Sequence, residues 1–119
     1  MKDYQKRRLI RAYLRSWQYL LGLEGWQVRW TTGKKIEGNE TFPPYGDAEC
    51  FPDFDEKRAV IYFNLKRMTS VAKIDRTCLH ELLHLLRRNE TKEEHQFIRR
   101  LESVIRRVRM RAGRVVIWT

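Results

Sequence analysis

The segment best suited to chemistry is Leu79-His80-Glu81-Leu82-Leu83-His84-Leu85-Leu86, in which two histidines four residues apart bracket a glutamate. On a helix, side chains at i and i+4 lie one above the other, so both imidazoles can point at a single divalent cation. Glu81 is too close to His80 in sequence to share that ion comfortably. It is well placed to take a proton from a water beside it. The surrounding leucines imply burial, where an uncompensated carboxylate or imidazole costs on the order of a few kcal/mol and a cation offsets that cost. The competing reading is a pair of satisfied histidines on a charged helix, and the leucines argue against it.

A tetrahedral catalytic zinc takes three protein ligands and a water. The downstream candidates for the third ligand are Glu90, Glu93, Glu94 and His95, with Glu102 a distant fifth. On a helical wheel Glu94 falls within the apolar arc of Phe97, Ile98, Leu101, Val104, Ile105 and Val108, and Glu93 on its fringe. His95 and Glu102 fall about 100° or more from its centre. The Asn89–Thr91 turn is short, so the two helices are expected to pack antiparallel, with Glu94 facing His84. The expected metal set is therefore His80, His84 and Glu94, with His95 the runner-up. Thr91-x-x-Glu94 also reads as a capping box, in which Glu94 closes the helix start instead.

The elements that must position these residues are legible from periodicity. Leu9/Ile10, Tyr13/Leu14, Trp17 and Leu20/Leu21 predict a helix over 3–21, with Gly22 as its C-cap. Trp26–Trp30 alternates as a half-buried strand does, and 32–46, rich in Gly and Pro, reads as a long loop. Strands are expected at 48–51 and 58–65, paired as an antiparallel hairpin, the second of them central. Thr69 or Ser70 can cap a helix to about Arg88 and Thr91 a last helix to about Arg111, with Val115–Trp118 a further strand or tail. The expected fold is α+β in one domain, 1–119: an N-terminal helix, a small three- to four-stranded sheet, the active-site helix and an antiparallel C-terminal helix.

Composition narrows the setting. The 119 residues are 42% apolar, enough for one core and too apolar for a disordered tail. No apolar run is long enough to span a bilayer, and the basic N-terminus is not followed by a signal-peptide pattern, so a membrane is not an expected partner. Two cysteines, Cys50 and Cys78, suit a reducing compartment, and a cytoplasmic protein is expected. The net charge of +10 is uneven: residues 1–21 hold six Lys/Arg against one acid, residues 84–119 ten against four, and the middle nine against ten. Such basic ends suggest a polyanion such as nucleic acid, or simply well-solvated helix faces.

The His80-Glu81-x-x-His84 motif resembles the zinc signature of the zincin metallopeptidases, and the Glu94 reading resembles their gluzincin branch. Across most of its length the chain is similar to the small zincin-like metallopeptidases of phages and bacteria, comparable in scale to the minigluzincins. That resemblance implies a strand edge over the cleft, near Glu49–Phe51, able to hold an extended peptide. Arg87 stands where metzincins carry Gly, and Glu90 where they carry a third His. SprT-like proteins close their triad with a His, which His95 imitates without the accompanying Gly.

The leading expectation is a zinc (Zn2+) peptidase acting on a peptide or protein substrate, with Glu81 as general base. Tyr45, Tyr62 or an arginine would be its second electrophile. Two alternatives belong to other classes: a SprT-like or other zinc protein that contacts nucleic acid through its basic helices, and a non-catalytic domain stapled by zinc.

Overall fold

The computed structural model describes residues 1–32, 46–86 and 92–111, and within the last helix the side chains of residues 98–107. These hold three α-helices and a three-stranded mixed sheet: α1 (Asp3–Leu20), β1 (Gln27–Thr31), β2 (Ala48–Asp53), β3 (Arg58–Phe63), α2 (Val71–Leu83) and α3 (Lys92–Arg111). The expected strand at Val115–Trp118 and the expected loop's residues 33–45 lie outside the described residues. Among the described residues, no helix is long and apolar enough to cross a membrane.

The sheet order is β1-β3-β2. β3 is central, as its almost unbroken apolar run requires, and pairs antiparallel with β2 in the expected hairpin. β1 runs parallel to β3, with Gln27 opposite Arg58 and Thr31 opposite Tyr62. Period-two alternation then sends Val28, Trp30, Ala48, Cys50, Ala59, Ile61 and Phe63 to one face, where they join the core beneath the helices.

α1 ends as Gly22 makes possible. Its φ of +70° lets Gly22 N–H reach Tyr19 C=O (3.1 Å) and Leu23 N–H reach Gln18 C=O (2.9 Å), a Schellman arrangement. The Gln18 amide also donates to Trp26 C=O at 2.8 Å, tying the helix to the start of β1. At the entry to α2, Ser70 Oγ accepts from Lys73 N–H at 3.1 Å, so Ser70 rather than Thr69 is the cap. Asp47, just before β2, pairs with Lys73 of this helix (3.1 Å) and with Arg67 in the turn that precedes it (2.8 Å). Burial raises the Asp47 pKa, but the hydrogen bonds and charges of Arg67 and Lys73 outweigh it and hold the carboxyl below its usual range.

α2 is buried on nearly every side, packed by α1, α3 and β2. Two polar contacts fix it to α1: Trp17 Nε1–H donates to the buried Asp75 carboxylate at 2.7 Å, and the Cys78 thiol meets Ile10 C=O at 3.9 Å. Burial pushes the Cys78 thiol well up, with the charges of Asp75 and Glu81 adding to the effect, so it stays a neutral packing group. Cys50 and Cys78 are both free thiols, as two isolated cysteines suggest. Trp17→Phe withdraws the indole donor from a buried carboxylate. It is expected to destabilise the fold by about 1–3 kcal/mol, read as a lower urea midpoint; an unchanged midpoint would show that the bond contributes nothing net.

Candidate metal centre

His80 and Glu81 sit in the last turn of α2, with Glu81 buried and His80 half-buried. The expected helix to about Arg88 is shorter than predicted. α-Helical bonding stops at Leu83, and His84 opens a tighter 3-10 turn, His84–Leu86. The dihedrals of His84 (φ −61°, ψ −25°) remain helical, so the second imidazole still lies over the first. The ring centroids are 4.9 Å apart and nearly perpendicular. One ligand atom each from His80, Glu81 and His84 lies within 4.8 Å of the other two, close enough for the three residues to bind one metal ion.

Glu102 is buried and its Oε2 lies 3.0 Å from His80 Nδ1. Where the carboxylate accepts from it, Nδ1 carries the proton and Nε2 keeps a lone pair that a cation could take. This is the carboxylate–imidazole arrangement that orients metal-binding histidines and raises their basicity. Glu102 is not one of the three residues of the donor group. Burial pushes the His80 pKa down, but the Glu102 hydrogen bond and the charges of Glu81 and Glu102 override it. The imidazole is held above its usual value, with Arg99 acting in the opposite sense.

Glu102 is the residue that the wheel undervalued. Among the described side chains of α3, Ile98 and Glu102 are the most buried, whereas Val104 is 50% exposed. The face that Ile98 and Glu102 define is thus turned about 80° from the orientation that its apolar residues alone would give. The available signal was position: Glu102 is four residues after Ile98, about 40° beyond it on the wheel.

Glu94, the expected third ligand, lies in α3 about 12 Å along the helix axis from Glu102. Its side chain, like those of Glu93 and His95, lies outside the described residues, as do Glu90 and Tyr45 altogether. Tyr62 is buried on β3, while Arg99, exposed on α3, is the cation whose charge reaches His80.

β2 lies at the sheet edge and contacts α2. Asn64 N–H donates to Asp47 C=O at 2.9 Å, which sets the alternation of the ladder. Glu49, Phe51 and Asp53 therefore bond inward to β3, and Ala48, Cys50 and Pro52 turn their backbone groups outward. Pro52, lacking an N–H, occupies an outward position where no ladder bond is lost.

The chain matches no family model, no curated protein and no solved structure. What it does is therefore argued from the site itself.

Proposed function

We propose that the protein is a zinc-dependent peptidase with a zincin-like fold. The observation that carries this reading is the convergence of His80, Glu81 and His84 donor atoms within 4.8 Å in a largely buried setting. His80, His84 and Glu94 would hold the ion, two borderline-soft imidazoles and a carboxylate being a donor set that suits zinc. Zinc bound there would supply a Lewis acid for the scissile carbonyl and bring the pKa of a water to about 7.

The protein's own groups do the rest. Glu102 holds the His80 ring and its tautomer. Glu81, set between the two histidines in sequence and close to both, accepts a proton from the attacking water and returns it to the leaving amine. β2, at the edge of the sheet and in contact with α2, is the strand beside which an extended substrate would lie. Arg99, exposed on α3 with its charge felt at His80, would be the cation that offsets negative charge developing on the substrate oxygen.

Metal removal is the direct test. The purified protein is expected to carry about one zinc per chain, to cleave members of a mixed peptide library, to stop when chelated and to resume when zinc is returned. A chain that takes up no zinc, or that holds zinc and cleaves nothing, rejects the reading.

A further inference from the structure

The solvent face of α1 carries a pattern that the metal centre does not use. Tyr4, Arg8, Arg11, Arg15 and Tyr19 follow one another at helical spacing and fall within an arc of about 80°. All five are exposed, the two tyrosines at 63% and 68%. The stripe is about 22 Å long, three arginines framed by an aromatic ring at each end. Among the described residues, none of these arginines forms an ion pair, and the only acid of the helix is Asp3. The Arg11 guanidinium lies 6.0 Å from the Trp30 ring centroid, which steadies it over β1.

We propose that this stripe binds single-stranded nucleic acid. Solvation accounts for arginines on an outer helix face; what singles this face out is that two exposed aromatic rings lie in line with them, one at each end. Both are accounted for by a ligand with phosphates for the arginine forks and unpaired bases for the rings. A duplex offers phosphates but keeps its bases stacked inside. A lipid surface fits less well, because a helix lying in the interface needs its apolar side free. Here Ile10, Tyr13, Leu14 and Trp17 are already buried in the core. The length suits a short site of about four nucleotides. This inference stands independently of peptide hydrolysis.

Fluorescence anisotropy with a labelled oligothymidylate tests it. Binding is expected to weaken with salt, the slope of log K against log salt being about −0.7 for each phosphate neutralised. Arg8→Glu/Arg11→Glu/Arg15→Glu should weaken binding more than tenfold and flatten that slope by about 2. Tyr4→Ala and Tyr19→Ala should each weaken binding about fivefold or more and leave the slope unchanged. All five side chains are exposed, so matching circular dichroism melts keep the comparison interpretable. Any of four results would overturn the proposal: tyrosine variants that bind as the wild type does, equal preference for duplex, stronger binding to phosphatidylserine vesicles than to the oligonucleotide, or no binding at low salt.

Discussion

Glu81→Gln is expected to lower peptide hydrolysis by roughly 10²–10⁴-fold while leaving zinc content near that of the wild type. Glutamine keeps the volume of a side chain that is only 6% exposed, so the surrounding leucines need not repack. It also keeps an acceptor oxygen, but it cannot take up a proton near neutral pH. The two histidines, which the proposal makes the ligands, are untouched. Parallel measurements of zinc stoichiometry and turnover separate the cases. Loss of turnover with zinc retained supports the base. Loss of both would make Glu81 a ligand, and wild-type turnover would remove it from the chemistry.

Removing the Glu102 carboxylate is expected to have the second large effect. The Oε2–Nδ1 contact of 3.0 Å would fix which His80 nitrogen faces a bound ion, and partners of this kind are typically worth about 10–100-fold in metal affinity. Glu102→Ala should therefore weaken zinc binding by about that factor, measured by competition with a chelator of known affinity. Glu102→Gln should fall between, since its amide oxygen still accepts from Nδ1–H without the charge. Glu94→Gln measured alongside addresses the proposed third ligand, whose loss should cost at least as much. Wild-type zinc affinity in Glu102→Ala would mean that the carboxylate serves only the packing of α3 on α2.

Much of the frame was legible because local and global preferences agree. The helical period from Leu9 to Leu21, the alternation of Trp26–Trp30, the apolar run expected over 58–65 and the cap expected at Thr69 or Ser70 each pointed to the element found there, the strand ending two residues early at Phe63. The parallel pairing of β1 with β3 was not readable, because nothing in five residues specifies which strand they meet. The role of Glu102 was not readable either, for an instructive reason. Weighting the wheel by apolar residues assumes that burial follows hydrophobicity, whereas a carboxylate that meets an imidazole is drawn inward by that partner. The end of α2 was overextended because Leu85 and Leu86 continue an apolar pattern that a 3-10 turn carries equally well.

The proline in β2 bears on how copies of the chain behave toward one another. Were two β2 strands to meet head-to-tail about Cys50, each Pro52 would sit across from Ala48 of the other copy, and the ribbon would forfeit a bond at both ends. Only its middle could knit fully. The same residue thus discourages the protein from polymerising through that edge.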